Sequence, residues 1–444
     1  MSFTTIELAR PGDLATQDLR DVAVEAPGAL IETASSNTVF QAAAVPDGGY
    51  GWVVVLACAI IAWWFIGITY SWGVIQAALV EENAWSASTL SLVGSLTVAC
   101  IAIFAIANAK LITITGARRL GLLGISLLGV GEIVAGSATK NVGAMFATVG
   151  VLMGIGTSMC FMTISVLPSQ YFLRKRGLAN GLVFAGGGLG GAAISLFTDR
   201  LLDAVGPAWT LRITGLMTLA TGLPAAWLIR ERAPSKRTIF VDWSLFKDPR
   251  FGLLFLSGVV TTFPLLVPPF FLPLYCNSLG LRPAIGAAAV ATFNFSSALG
   301  RVGCGLLCDH LGPLNVLTLV LLASGLSMLV LWPFSESLAP LIVFTIWNGV
   351  AGGGFFAVMP TVVGSVFGAA KVPIVTGMVV TGWTGGYLMG GPIAGYILEA
   401  YRGEEGGTAA YRPAMYYAGS MSVGAAILVA VMRLKIDPRV LRRL

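Results

Sequence analysis

The chain has 444 residues; 56% are apolar, only 11% are charged, and the mean hydropathy is +0.84. Soluble domains carry about 25% charged residues, so a water-soluble globule is excluded and a membrane protein is implied. The net charge of +6 gathers between apolar runs, with no basic stripe interleaved with aromatics, which excludes a nucleic-acid footprint.

Residues 1–45 are polar and acidic, with Glu7, Asp13, Asp18, Asp21, Glu25 and Glu32 against Arg10 and Arg20. No basic start followed by a short apolar core occurs there, so the segment reads as a disordered cytoplasmic tail and not as a signal peptide. Twelve runs of membrane length follow, at 50–80, 88–110, 118–138, 142–168, 177–199, 209–229, 250–276, 283–307, 314–334, 339–366, 372–398 and 411–433. The expected fold is an all-α membrane protein: twelve transmembrane helices in two pseudo-symmetric six-helix halves, residues 46–230 and 250–433. The polar stretch 231–249, with Pro234, Ser235, Lys236 and Arg237, is the expected inter-half loop, and 434–444 a basic cytoplasmic tail.

Twenty Lys and Arg residues fall on one side of these spans and five on the other; Arg212 and Arg301 lie inside spans. Basic residues concentrate on the cytoplasmic side of membrane proteins, so both termini are expected there. The plasma membrane is the default, since no organelle-directing signal is evident.

Glycines repeat at a fixed spacing of 196 residues: Gly116 with Gly312, Gly181 with Gly377, Gly186 with Gly382, and Gly190 with Gly386. A membrane chain whose halves echo each other is most simply a transporter with its site between them. One copy contains both halves, so a monomer suffices. The expected partners are a small-molecule substrate, with a coupled proton left open, and the lipid bilayer. Neither a cofactor nor a metal is expected. Cys304 and Cys308 share a helix face, but no His or further Cys lies nearby to complete a metal site, and the six cysteines read as packing residues.

Helix 1 opens with Pro46-Asp47-Gly48-Gly49-Tyr50-Gly51-Trp52. The aromatic ring belongs at the membrane interface, and the glycines allow a tight entry. Helix 5 opens with Tyr171-Phe172-Leu173-Arg174-Lys175-Arg176 and continues through Gly181, Gly186, Gly187, Gly188, Gly190 and Gly191, which permit close, sliding helix contacts. Glu132, the remaining acid within the spans, is a candidate proton carrier in helix 3. Arg301 in helix 8 is the sharpest site candidate. A cation within a span costs about 2.5–3.5 kcal/mol on insertion scales and faces a cavity or a partner. Its guanidinium is built to grip a carboxylate through two parallel hydrogen bonds. The alternative is a structural arginine paired with Asp309, two turns on. Tyr70, Asn294, Asn348 and Trp383 are further candidates for substrate contact, although such residues more often join helices.

The segment Gly305-Leu-Leu-Cys-Asp309-His-Leu-Gly312-Pro-Leu-Asn315 resembles the G-x-L-x-D-R-x-G-R-R loop of the major facilitator superfamily. Asp309 is expected to face the N-terminus of helix 5, beside Arg174, Lys175 and Arg176, as a gate latch between the halves. The equivalent position in the first half is Thr113, so the latch is expected to be lopsided. The stretches Asp47 to Trp52, and Tyr171-Phe172 to Gly181, resemble the paired signatures of the monocarboxylate porter family within that superfamily, in its fungal form. So do Gly354-Phe355 through Pro360 to Gly368, and Gly391-Pro392 to Gly395. The resemblance covers residues 46–435. It implies alternating-access transport of a small organic acid or related metabolite, with a substrate-anion arginine at Arg301. Two departures matter. The aspartate that precedes this arginine in animal lactate porters is Ser297 here, and their helix 1 lysine has no counterpart in Gly67 to Val74.

No Gly-x-x-x-x-Gly-Lys-Ser/Thr loop and no acid/base, nucleophile–His or metal cluster is present, which argues against an ATP-driven pump and a membrane enzyme. The sequence therefore reads as a secondary transporter, leaning to export of a secondary metabolite. Proton-linked uptake or exchange of a short monocarboxylate is the alternative, and a non-transporting receptor the alternative of another class.

Overall fold

The computed structural model describes residues 47–81, 87–232, 241–401 and 403–437. The expected tail 1–45, residues 233–240 of the inter-half loop and residues 438–444 lie outside the described residues. Twelve helical rods run in chain order. The first six are α1 (Tyr50–Glu81), α2 (Ala87–Ile103 and Ala105–Thr115), α3 (Ala117–Ala138), α4 (Val142–Tyr171), and α5 and α6, which share Arg176–Leu228 and part at Gly206. The second six are α7 (Pro249–Leu265 and Val267–Ser278), α8 (Pro283–Leu311), α9 (Pro313–Leu331), α10 (Leu338–Phe367), α11 (Val372–Thr381 and Thr384–Ala400) and α12 (Arg412–Ile436). Eight of these rods are single helices long and apolar enough to cross a membrane, and α2, bent by 55°, makes a ninth. The remaining three, α6, α8 and α11, complete two sets of six.

The glycine echo corresponds to equivalent contacts. Gly116 (φ 88°, ψ 153°) turns α2 into α3, and Gly312 (φ 86°, ψ 145°) turns α8 into α9. Both lie in the left-handed half of backbone space, where a Cβ is strained. Gly186 and Gly190 let α5 settle on Ala59 and Trp63 of α1, while Gly382 and Gly386 let α11 settle on Phe255 and Thr262 of α7. Gly181 abuts the Arg301 carbonyl of α8, and Gly377 abuts Ala105 and Ala109 of α2. The first three pairs build each half; the fourth joins the halves, α5 to α8 and α11 to α2. The tightest glycine approach between the halves is that of Gly177 and Gly305, where a Cβ on either residue strikes the other's carbonyl oxygen. Such backbone proximity gives van der Waals packing that apolar lipid cannot replace.

The face rich in Lys and Arg is tied together by main-chain bonds. The Glu231 carboxylate accepts the Ala117 N–H at the start of α3, and Arg118 Nε donates to the Ile229 carbonyl at 2.8 Å. Asp248 caps α7 through the Arg250 N–H at 2.9 Å and pairs with the Arg250 guanidinium at 2.7 Å. The Arg250 side-chain bond, aided by the backbone bond, holds the Asp248 carboxyl below its ordinary range despite some burial.

Two outcomes are expected from these features. Gly305→Val forces α5 from α8; it is expected to cost about 1–3 kcal/mol and to lower the melting temperature of the detergent-purified protein. Asp248→Ala is expected to cost about 1 kcal/mol. Because its folded pKa is depressed, this contribution is present above the unfolded value and lost as pH falls through the folded one, so melts of wild type and variant converge in acid.

Candidate functional site

Two sites emerge, one on the basic face and one at the centre. On the basic face, the two family-like stretches form one knot. Asp47, itself at φ 47°, accepts the N–H groups of Leu173, Arg174 and Lys175 at 2.8, 2.9 and 3.2 Å. The Gly48 and Gly49 carbonyls accept from Gly51 and Trp52, both at 3.2 Å. Gly51 presses on Tyr171 and Phe172, and the Trp52 and Phe172 rings lie 4.8 Å apart. The Tyr50 hydroxyl donates to the Leu228 carbonyl at 2.7 Å and the Tyr171 hydroxyl to that of Arg230 at 2.8 Å. All of this belongs to the first half and lies away from the centre.

The second half completes the knot. Asp309, near the end of α8, accepts the N–H groups of Gly177 and Leu178 at 2.9 and 2.8 Å. A carboxylate there meets both free donors and the positive end of the α5 dipole. Arg174 and Lys175 contribute backbone only; their side chains are exposed. Arg176 alone is buried. Its Nε donates to the Phe172 carbonyl at 3.2 Å, and its guanidinium packs against Gly364 of α10. Asn180 Nδ2 donates to Thr361 Oγ1 of α10 at 2.9 Å, a further bond between the halves. At the equivalent place in the first half, the Thr113 hydroxyl turns back to the Lys110 carbonyl at 2.6 Å, and no side chain caps the start of α11.

The centre is built around Arg301, which is 1% exposed. Its Nη1 donates to the Phe184 carbonyl of α5 at 2.7 Å and its Nη2 to the Tyr70 hydroxyl of α1 at 3.2 Å. The Phe356 ring of α10 lies 5.5 Å from the guanidinium carbon. Four helices from both halves therefore converge on one cation. Among the described residues its Nε has no hydrogen-bond partner. Trp383 sits where α11 breaks between Thr381 and Thr384. Its ring lies 6.0 Å from Phe161 of α4, 5.4 Å from Phe355 and 6.1 Å from Tyr387, and among the described residues its indole N–H is also unpartnered. Broken helices with unmatched donors near the midplane are where such transporters place substrate.

The other candidates lie elsewhere. Asn294 is buried on α8, two turns from Arg301 and on the same helix face. The Asn348 amide donates to Ser327 Oγ at 2.8 Å and so ties α10 to α9. It lines a small cavity inside the second half, with Pro264, Leu265, Phe293 and Ser324. A matching cavity in the first half is lined by Ile68, Thr69, Thr97 and Leu128, each 196 residues earlier. Gly181 serves the α5–α8 seam. Glu132 is buried between α3 and α6, with Thr218 Oγ1 donating to it at 3.2 Å. Residue reading missed the Phe184 carbonyl and Phe356; the first is main chain and carries no side-chain signal.

Two repeated six-helix halves, bonded to each other on one face and sharing a cation between them, have the architecture of a membrane transporter. The Major Facilitator Superfamily model matches residues 52–313 and 271–443; the chain belongs to that superfamily and is a multi-pass membrane transporter. It is 26% identical to the aspyridones efflux protein apdF of Emericella nidulans, over 81% of this chain and 74% of that one. It is 28% identical to the agnestins efflux protein AgnL12 of Paecilomyces divaricatus, over 86% and 87%. The structure of the fucose:proton symporter of E. coli has the same fold, with a TM-score of 0.68 at 13% identity over 87% of this chain and 99% of that one.

Asp309→Asn removes the charge from the bonds to Gly177 and Leu178, worth about 1–3 kcal/mol. With Asn180→Cys and Thr361→Cys as reporters, oxidative cross-linking is expected to be efficient in the parent and to fall about 5-fold or more when Asp309→Asn is added.

Proposed function

We propose that this transporter exports a partly apolar organic metabolite by alternating access, as a fungal-type member of the monocarboxylate porter family. The observation that carries the reading is the composition of the centre. One guanidinium is held by the Phe184 carbonyl and the Tyr70 hydroxyl and lies over the Phe356 ring, while the Phe161 ring packs on those of Phe184 and Trp383. Ser297 stands where a short-acid porter has its aspartate, and Gly67 to Val74 offers no counterpart of its lysine. A short carboxylate gains little from such a centre; a larger aromatic or polyketide-like compound buries against it at about 25 cal/mol per Å². The relatives named for efflux of aspyridones and agnestins favour export. In this reading the basic face and both termini are cytoplasmic, Asp309 and Arg176 latch that side shut, and one copy in the plasma membrane suffices. The paired signatures at Asp47 and Phe172 support the family assignment.

The alternative, proton-linked uptake of a short monocarboxylate, is favoured by Arg301 alone. Yeast cells expressing the chain and loaded with a panel of aromatic carbonyl and carboxylate compounds are expected to retain less of at least one, by mass spectrometry, and Arg301→Ala is expected to abolish the difference. Gradient-driven lactate uptake in proteoliposomes, lost in Arg301→Ala, would replace export by the acid-porter reading.

A further inference from the structure

The guanidinium that the resemblance marks for a substrate anion is buried and partly committed. Nη1 is committed to the Phe184 carbonyl at 2.7 Å, Nη2 to the Tyr70 hydroxyl at 3.2 Å, the Phe356 ring lies 5.5 Å from the guanidinium carbon, and the side chain is 1% exposed. Two of its five N–H donors are thus committed, and a carboxylate that sought the others, Nε among them, would have to reach a side chain only 1% exposed. Tyr70 is placed differently. It is partly exposed, and Gly73, one turn on, is open. Its ring rests on Gly191 of α5, where a Cβ would meet it at 3.0 Å, so its position is fixed from behind.

The direction of the Arg301–Tyr70 bond decides what the phenol does. A guanidinium only donates, so the Tyr70 oxygen is the acceptor and its own proton is left for another partner. Among the described residues none accepts it. A cation behind the phenol oxygen polarises the O–H and strengthens it as a donor. Among the described residues the groups shown against Tyr70 and the guanidinium supply no second cation: Val74 lies one turn beyond Tyr70, and the guanidinium meets the Phe184 carbonyl and the Phe356 ring.

We propose that Tyr70 is the group that touches substrate, that Arg301 is a positioning residue behind it, and that the substrate class is a neutral or enolic carbonyl compound with an apolar body. This deepens the export reading and rests on it. A single strong neutral donor in an aromatic centre selects a carbonyl oxygen, and a site built to donate one hydrogen bond rejects analogues that cannot accept it. A free carboxylate is disfavoured, since it would lose hydration and find no accessible cation.

The test has two parts, and the first does not depend on transport. The six native cysteines are all buried, so the wild-type chain serves as the blank. Tyr70→Cys and Arg301→Cys are reconstituted and treated with a water-soluble methanethiosulfonate. Tyr70→Cys is expected to react about tenfold faster or more, because thiol reactivity follows exposure. Equal rates overturn the placement of Arg301 behind Tyr70, whether or not the protein exports anything.

The second part measures stabilisation of purified protein by benzoylacetone, a neutral β-diketone, and by phenylacetate, an anion of similar apolar bulk. Benzoylacetone is expected to bind wild type, to bind Tyr70→Phe about tenfold or more weakly, and to bind Arg301→Lys between the two. Phenylacetate is expected not to stabilise. Failure of benzoylacetone to bind wild type overturns the carbonyl class. Phenylacetate binding that survives Tyr70→Phe but not Arg301→Lys overturns the proposal and restores the arginine as the direct contact. Loss of yeast export with the labelling pattern intact counts against the export reading and leaves the placement of Tyr70 standing.

Discussion

A carboxylate from one half satisfies the amide donors at the start of a helix in the other. Asp309 on α8 meets Gly177 and Leu178 of α5, and much of the interface depends on the close approach this allows. The approach is possible only because Gly177 and Gly305 face each other without side chains. Four residues along α5, Gly181 rests on the Arg301 carbonyl, which brings the guanidinium of α8 within reach of Phe184 and Tyr70. Latch, seam and central cation are thus successive levels of one contact between α5 and α8. A change at any level is felt at the others through rigid helices with little slack.

The second crossing, α2 against α11, is built differently. It has the close packing, through Gly377 on Ala105 and Ala109, but Thr113 spends its hydroxyl on its own helix. One crossing is therefore electrostatic and directional, and the other shows the close packing of Gly377 without an equivalent of Asp309. Directional bonds break over a short distance, whereas packing surfaces slide. The stronger crossing is the one that carries the central cation.

Much of the fold was legible because a membrane span needs a long apolar run, and the runs stand clear in the sequence. The 196-residue glycine spacing went further. It marked turns at Gly116 and Gly312, helix packing at Gly186 and Gly382, and contact between halves at Gly181 and Gly377, because glycine is kept where two backbones touch. The break in α11 at Trp383 was not legible, as it involves no proline, and neither was the bend in α2 at Phe104. In the centre, residue types pointed to Arg301 but not to what holds it, since a main-chain carbonyl leaves no trace in sequence. Asn348 and Asn294 look alike as polar residues within spans, yet one ties α10 to α9 and the other shares a face with Arg301. Only packing separates those cases.

With Asp309 as the proposed gate latch, the three N–H groups held by Asp47 have a consequence for how fast that latch re-forms. Those donors belong to the same half as the carboxylate that holds them, so the chain leading into α5 keeps its shape when the halves part. Fixing a residue's backbone costs about 1–2 kcal/mol, and residues 173–175 have already borne that cost before Asp309 arrives. The arriving carboxylate meets a finished receptor. Re-closing then requires two rigid bodies to meet and no segment to fold, so the loop itself adds no ordering step to the transport cycle.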